Sequence, residues 1–252
     1  MRMIMPSSAY DSKEIFSISR LLLIVAGICF QGLFSILSAQ EAFEPPEKAL
    51  EISAAQALEP IVIDGKAMEA SWNLAPITKN FTQQNPVQGA PASGDSEVRV
   101  LYDAYYLYIF AFNRDSVKKY GVRLQNLQRD FSLDQNDYFG FNIDTYLDKR
   151  TSFGFFVTPS GAQSDRMYGG EDDENVNWDA LWYARTSISD SGWTVEIAIP
   201  WKTLRYADGA KTFGIIFSRG IRRTNEFITF PPVPRAFDPS RMIYEALLTG
   251  VE

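Results

Sequence analysis

Aspartates surround two aromatic segments in the middle of this chain, and they are the residues best suited to chemistry. Residues 134–165 read DQNDYFGFNIDTYLDKRTSFGFFVTPSGAQSD. Asp137 and Asp144 bracket the first segment and Asp148 follows it, and glycoside hydrolysis needs paired carboxylates about 5 to 10 Å apart. The alternative is turn chemistry, because aspartates at strand ends bond nearby backbone N–H groups. We favour the turns, since no cleft is evident in the pattern.

The same acidic stretches are candidates for a metal site. Calcium takes oxygen ligands, and the segments DQND and EDDENVN supply Asp134, Asp137, Asp172 and Asp173. Neither segment has the fixed ligand spacing of an EF-hand loop, so a solvated acidic loop is the alternative. A structural Ca²⁺ at these four aspartates and a solvated acidic loop both stay open at this point.

Composition excludes several classes of catalytic site. The chain has no histidine and one cysteine, Cys29, which lies in a segment that we expect to be removed. Ser/His/Asp triads, cysteine nucleophiles and the usual zinc and copper ligand sets are therefore excluded in the mature protein. The net charge is −7 and no lysine-rich tract occurs, so nucleic acid is not expected as a partner.

The first 60 residues precede the predicted domain. An apolar run follows Arg20 and ends in small residues near Ala39, which predicts a signal peptide at residues 1–40 and export to the periplasm, the outer membrane or the exterior. A retained membrane anchor at residues 21–37 is the alternative. Residues 41–60 are polar and proline-bearing and are predicted to be a linker, with a single domain at residues 61–252.

The domain shows the periodicity of strands. In NDYFGFNID, Phe139, Phe141 and Ile143 share one face, with Tyr138, Gly140 and Asn142 on the other. GWTVEIAIP places apolar residues inward and leaves Thr194 and Glu196 outward, whereas YYLYIFAF is apolar on both faces, like a central strand. Many short strands with turn residues between them predict an all-β fold, an antiparallel β-sandwich of immunoglobulin or jelly-roll type.

Helix is predicted to be scarce. Short helical turns are expected around residues 67–72, around residues 122–126, and in PWKTLRY, where Pro200 suits the first helical position. Trp72, Trp182, Trp193 and Trp201 lie within or beside strands and are expected in the core.

Five segments in order and spacing resemble the family 9 carbohydrate-binding modules. They are IDGKAMEASW, VRVLYDAYYLYIFAF, the acidic and aromatic stretch above, WDALWYARTSISDSGWTVEIAIPWKTLRY and FSRGIRRTNE. The chain more closely resembles the module of this type that precedes an outer-membrane β-barrel domain of unknown function in Gram-negative bacteria. The resemblance implies a β-sandwich that binds an oligo- or polysaccharide and has no catalytic activity of its own.

The sugar clamp of that family is not carried over residue by residue. The resemblance implies a ligand held between two tryptophans, with a glutamate and an arginine on adjacent strands. Here the tryptophan positions fall near Asp134 and on Ala236, the glutamate on Gly140 and the arginine on Phe156. We therefore expect weak or altered sugar recognition.

Other residues are candidates to contact a ligand. Trp178 follows an acidic loop and is expected to stack on a sugar, with core packing as the alternative. Phe131 and Phe237 are the aromatic residues nearest to the missing tryptophans. The arginines at 219, 222 and 223 form a basic cluster that either pairs with Glu226 and neighbouring aspartates or holds an acidic group. The predicted ligand-binding residues are Trp178, Phe131, Phe237, Arg129 and Arg222.

Three functions remain open at this point. The first is an exported carbohydrate-binding module, which acts by aromatic stacking and hydrogen bonds. The second is a structural or interaction module that docks to an outer-membrane β-barrel partner. The third is a glycoside hydrolase with paired carboxylates.

Overall fold

Alternating apolar residues build two sheets in the computed structural model, which describes residues 43–115, 122, 127–170 and 173–252. The strands are β1 Glu51–Ser53, β2 Ala55–Gln56, β3 Thr82–Asn85, β4 Ser96–Tyr102, β5 Tyr106–Arg114, β6 Tyr138–Asp144, β7 Ser152–Val157, β8 Gln163–Tyr168, β9 Glu174–Asn175, β10 Tyr183–Ser189, β11 Gly192–Pro200, β12 Phe213–Ile221, β13 Glu226–Phe230 and β14 Ala246–Thr249. Two 3₁₀ helices are described, at Ala70–Asn73 and Met242–Tyr244.

The two sheets are mostly antiparallel. Within the described residues, the larger sheet has nine strands in the order β1-β14-β12-β6-β7-β8-β9, and β13 joins β12 to β3. The smaller sheet has five strands in the order β10-β11-β5-β4-β2. The pairs β1–β14 and β2–β4 are parallel. The predicted all-β antiparallel sandwich with few helices is confirmed.

The core lies between the inner faces of the sheets. Phe139, Phe141 and Ile143 of β6 are fully buried there, as their spacing predicted. From the opposite sheet, β5 lies centrally between β4 and β11, as expected of a strand that is apolar on both faces. The predicted core tryptophans at 72, 182 and 193 are buried, and Trp201 packs partly buried on Phe213.

The folded domain begins earlier than residue 61. Residues that we assigned to the linker form β1 and β2, which pair with β14 and β4. Ile52 is 4% exposed because it enters the core of the sandwich. The polar composition of residues 41–60 hid these short strands, since only a single residue of β1 is apolar and buried. The predicted signal peptide lies outside the described residues.

Glu196 is buried although its outward position on β11 was predicted to face solvent. The loop of residues 64–67 covers it, and its carboxylate accepts backbone N–H bonds from Asp64 at 2.9 Å, Gly65 at 2.6 Å and Ala67 at 2.9 Å. Burial raises the pKa of this carboxyl. Both oxygens of the Glu196 carboxylate thus attach the IDGKAMEASW segment to the outer face of the smaller sheet.

The predicted helix in PWKTLRY is wrong. Residues 200–204 form a turn, with the Thr203 N–H donating to the Pro200 carbonyl. Trp201 ties this turn to the β4–β5 connection, because its indole N–H donates to the Asp103 carbonyl at 2.9 Å. The helix predicted at residues 122–126 lies almost wholly outside the described residues. In the described part of the chain, no helix has the length and hydrophobicity needed to cross a membrane.

Candidate binding clefts on the larger sheet

Aromatic rings lie over glycines on the outer face of the larger sheet. Gly140 of β6 pairs in register with Phe156 of β7. A Cβ placed on Gly140 would stand 2.3 Å from Phe156 Cδ1, so the ring occupies the space that a side chain would need. An aromatic ring that covers a glycine on the neighbouring strand fills the space left by the missing side chain.

The same arrangement recurs on both sides of Phe156. A Cβ on Gly220 would stand 2.6 Å from Tyr138 Cε1, and one on Gly154 would stand 2.8 Å from Phe156 Cε2 and 3.0 Å from Tyr168 Cε2. Tyr138 and Phe156 meet edge to face with their ring centroids 5.8 Å apart. The rings form one surface, the aromatic platform, which consists of Tyr138, Phe156, Tyr168 and Phe227.

A cleft of about 530 Å³ opens over this platform, and we call it the platform cleft. Its size lies within the range of about 300 to 1,000 Å³ that is usual for small-molecule sites. Asp134, Ala236 and Asp238 are among the residues that line this cleft. Burial raises the pKa of Tyr138 and of Tyr168 above the ordinary value of a phenol.

Two buried polar groups on the floor of the platform cleft have no hydrogen-bond partner in the described part of the chain. Asn142 is 2% exposed and Ser218 is 1% exposed, and both line the cleft. Asn142 Nδ2 and Ser218 Oγ form no hydrogen bond within the described residues. A buried polar group without a partner costs about 1 to 3 kcal/mol, so these two atoms have unused hydrogen-bonding capacity on the floor of the cleft.

Arg166 stands at the side of the platform cleft. Its Nη1 donates to Glu174 Oε1 at 2.5 Å, and its guanidinium lies 5.6 Å from the centroid of the Phe156 ring. Its Nε is buried and has no partner within the described residues. Arg166 therefore adds a third polar group with unused hydrogen-bonding capacity.

A second cleft of about 480 Å³, which we call the side cleft, lies on the other side of Arg166. Ser132 and Arg166 line both clefts. The side cleft contains three of the five residues that we predicted to bind a ligand, namely Arg129, Phe131 and Trp178.

The predicted aromatic residues are less exposed than expected. Phe131 is 3% exposed and packs in the small cluster beneath the platform cleft with Tyr138 and Phe156. Trp178 is half-buried at the edge of the core, with its ring centroid 4.9 Å from that of Phe153. Trp178 therefore packs against the core, which was the alternative to ligand stacking, and it also lines the side cleft.

Phe237 is the third predicted aromatic residue, and it does not line either cleft. Its ring packs against Tyr244 with the centroids 5.3 Å apart, and the Arg241 guanidinium lies 5.5 Å from its centroid. Its neighbours Ala236 and Asp238 do line the platform cleft. Phe237 thus supports the wall of the cleft from behind.

The predicted basic cluster is dispersed. Arg219 is 2% exposed and points into the sandwich, where it donates to the backbone carbonyls of Gly94 and Arg114. Arg222 donates to the Asp134 carbonyl at 2.7 Å, and Arg223 pairs with Asp115. These arginines do not form one outward-facing anion site. Arg222 instead positions the loop that carries Asp134.

The acidic residues make the backbone bonds of turns. Asp144 accepts from the N–H groups of Tyr146 and Lys149, and Asp148 accepts from those of Arg150 and Thr151. Among the predicted calcium ligands, Asp137 is buried and accepts the Arg222 N–H, whereas Asp134 and Asp173 border the platform cleft. Asp172 lies outside the described residues. No cluster of three or more potential metal ligands occurs in the described ranges.

Most residues of the platform cleft were not predicted from the sequence. The sequence feature that could have revealed this cleft is the glycine between aromatic residues in YFGFN and in SFGFF, because each of these glycines lies beside an aromatic ring in the folded sheet. Reading that signal requires the strand register, which the sequence does not give. The resemblance to the family places Asp134, Phe156 and Ala236 at positions of the sugar clamp, and all three line this cleft. The missed residues are Tyr138, Asn142, Arg166, Tyr168, Ser218 and Phe227.

Comparison with known proteins gives a family. The family model described as carbohydrate family 9 binding domain-like matches residues 63–219. Among curated proteins no match was found.

Solved structures share the fold. A protein from Bacteroides uniformis superposes with a TM-score of 0.65 at 10% identity, covering 80% of this chain and 99% of that one. A family 9 carbohydrate-binding module from Caldicellulosiruptor kristjanssonii in complex with glucose gives 0.57 at 15% identity, covering 79% and 94%. The cellotriose complex of a family 9 module from that organism gives 0.51 at 16% identity, covering 80% and 93%.

Proposed function

This chain belongs to the carbohydrate family 9 binding domain-like family, and on that premise we propose that it is a non-catalytic module that binds a glycan in the platform cleft. The observation that carries the proposal is the pair of buried groups on the cleft floor, Asn142 Nδ2 and Ser218 Oγ, which have no partner among the described residues. Two solved family members hold glucose and cellotriose, which supports a saccharide as the ligand here.

The chemistry of the cleft suits a sugar. The C–H faces of a sugar ring pack on aromatic rings, and its hydroxyl groups need hydrogen-bond partners in defined directions. The platform offers Tyr138 and Phe156 as apolar surface, and Asn142 and Ser218 line the same cleft as neutral polar groups. A hydroxyl that accepts from Asn142 Nδ2 and bonds to Ser218 Oγ satisfies both buried groups at once.

We expect the affinity for simple disaccharides to be low. Phe156 and Ala236 occupy positions at which the resemblance places an arginine and a tryptophan, so a charged donor and a stacking ring are absent from the clamp. A disaccharide is then expected to bind with a Kd of about 1 mM or weaker.

Export of the protein, a bound calcium ion and an outer-membrane β-barrel partner stay predictions. N-terminal sequencing of exported protein tests cleavage near Ala39, and a start upstream of Leu21 would contradict it. Thermal melts with calcium and with a chelator test the ion, because an ion that binds only the folded state raises the melting temperature. Identical melting curves would leave the acidic loops as solvated turns.

Calorimetry with cello- and xylo-oligosaccharides tests the proposed function. The wild-type chain is expected to bind at least one oligosaccharide, and Asn142→Ala is expected to weaken that binding about tenfold, because one hydrogen bond is lost. Asn73→Ala, an exposed change on the 3₁₀ helix, serves as the matched control. Binding that survives Asn142→Ala unchanged would overturn the assignment of the site. Absence of glycan binding, with tight association to a β-barrel partner, would favour the docking function instead.

A further inference from the structure

The platform cleft and the side cleft meet at Ser132 and Arg166, which line both. We propose that a neutral oligosaccharide crosses Arg166 and occupies both clefts, so that the side cleft is a second subsite centred on Trp178. This inference rests on the proposed function, because it extends the ligand of the platform cleft.

Arg166 is suited to the boundary between two sugar units. Its guanidinium is held in place by Glu174 and by the face of Phe156, so it does not need to be ordered when a ligand binds. Its buried Nε has no partner within the described residues and can donate to a ligand oxygen. Arg166 lies between the two clefts and can therefore donate a hydrogen bond to a ligand that spans both.

The side cleft has the composition of a sugar subsite. Trp178 supplies an aromatic surface, and its position is fixed by contacts with Phe153 and Phe155 at centroid distances of 4.9 and 5.9 Å. Asn177 is exposed beside it and carries both a donor and an acceptor. An aromatic surface beside neutral polar groups matches the two needs of a sugar ring.

A buried carboxylate organises this cleft before a ligand arrives. Asp165 is fully buried and accepts from Arg129 Nη2 at 2.5 Å, from the Ala180 N–H at 2.5 Å and from Trp182 Nε1 at 3.2 Å. Arg129 also pairs with Asp179 at 2.8 Å. The chain that follows Trp178 is thereby attached to β8, and the chain that precedes it is attached by the pairing of β9 with β8, so binding needs little reorganisation.

The charges of the clefts select a neutral glycan. The charged residues of the side cleft are balanced, with Arg129 paired to Asp165 and Asp179 and Arg166 paired to Glu174. Carboxylates outnumber arginines around the platform cleft, so an anionic sugar would meet repulsion there. The charged lining residues of the platform cleft are Asp134, Asp173, Glu174, Asp238, Arg166 and Arg241.

Calorimetry with cellobiose, cellotriose and cellohexaose tests the second subsite. For the wild-type chain, we expect cellohexaose to bind about tenfold more tightly than cellobiose, which corresponds to about 1.4 kcal/mol. Trp178→Ala should abolish this gain. Asn177→Ala, at an exposed position, should also reduce the gain. This variant tests the subsite even if Trp178→Ala unfolds the domain. Tyr183→Ala, on the smaller sheet, is the aromatic control.

The outcomes separate this inference from the proposed function. Equal affinity for cellobiose and cellohexaose, or a gain that persists in Trp178→Ala and in Asn177→Ala, would overturn the second subsite and leave the platform cleft in place. Absence of binding to every neutral oligosaccharide would overturn both. Tighter binding of an oligogalacturonate than of cellohexaose would contradict the neutral ligand class.

Discussion

Phe156 lies across Gly140 of the neighbouring strand, at a distance that leaves no room for a Cβ on the glycine. The two residues are register partners, and they stand where the resemblance places an arginine and a glutamate. The two positions are therefore coupled here, because a ring at residue 156 requires a glycine at residue 140. An aromatic surface has taken the place of two charged groups.

Gly140→Ala is expected to destabilise the domain. The added Cβ would stand 2.3 Å from Phe156 Cδ1 and 2.6 Å from the Phe155 carbonyl oxygen, so both the ring and the backbone must move. Overpacking of this kind lowers the free energy of unfolding by about 1 to 3 kcal/mol. Urea denaturation measures the loss, and an unchanged midpoint would show that the ring does not depend on the glycine.

Ser218→Ala is expected to weaken ligand binding without loss of stability. Ser218 Oγ makes no hydrogen bond within the described residues, so its removal costs the folded state little. Ser71 is the matched control, because it is equally buried at 1% exposure but bonds to Leu58 N and to Glu59 Oε1. Ser71→Ala should lower the free energy of unfolding by about 1 to 3 kcal/mol. Equal losses in the two variants would contradict the idea that Ser218 is reserved for a ligand.

Asp165→Asn is expected to loosen the side cleft. The change weakens the bonds to Arg129, to the Ala180 N–H and to Trp182 Nε1, and it should cost about 1 to 3 kcal/mol, since Arg129 is partly exposed to solvent. Asp179→Asn removes the exposed partner of Arg129 and should change stability by about 0.5 kcal/mol or less. Tryptophan fluorescence and denaturation measure both variants. Similar effects from the two changes would argue against Asp165 as the organising group.

Glu245 is expected to make stability depend on pH. Its carboxyl is 3% exposed and both oxygens lack partners within the described residues. Burial, followed by the charge of Asp144, raises its pKa from 4.5 to about 8. The folded state therefore binds a proton that the unfolded state releases, and stability falls as the pH rises from about 4.5 to about 8.

Glu245→Gln should reduce that fall, because the amide does not ionise. Denaturation of the wild type and of the variant across this pH range measures the difference between the two slopes. Glu97→Gln, at a surface pair with Arg114, is the control and should leave the slope unchanged. Parallel pH profiles for wild type and Glu245→Gln would show that Glu245 does not titrate in this range.

The sequence predicted what depends on local periodicity. Alternation along NDYFGFNID placed Phe139 and Phe141 in the core and Asn142 on the opposite face, because successive side chains of a strand point to opposite sides. Alternation did not show that the opposite face is also covered. Glu196 was therefore expected in solvent, although the loop of residues 64–67 buries it.

The binding clefts depend on contacts between distant segments, and periodicity carries no information about them. Phe131 was chosen as the aromatic residue nearest to a missing tryptophan, yet it packs beneath the platform cleft, because the loop before β6 folds over the sheet. Trp178 was recognised from its place after an acidic loop, and its packing on Phe153 followed from tertiary structure alone.

A crystal structure of the chain in complex with cellotriose would test the central claim most directly. We predict a sugar ring over Phe156 in the platform cleft, with a hydroxyl within about 3 Å of Asn142 Nδ2 and of Ser218 Oγ. A ligand bound on the smaller sheet, or a ligand that leaves both of these groups without a partner, would contradict the account.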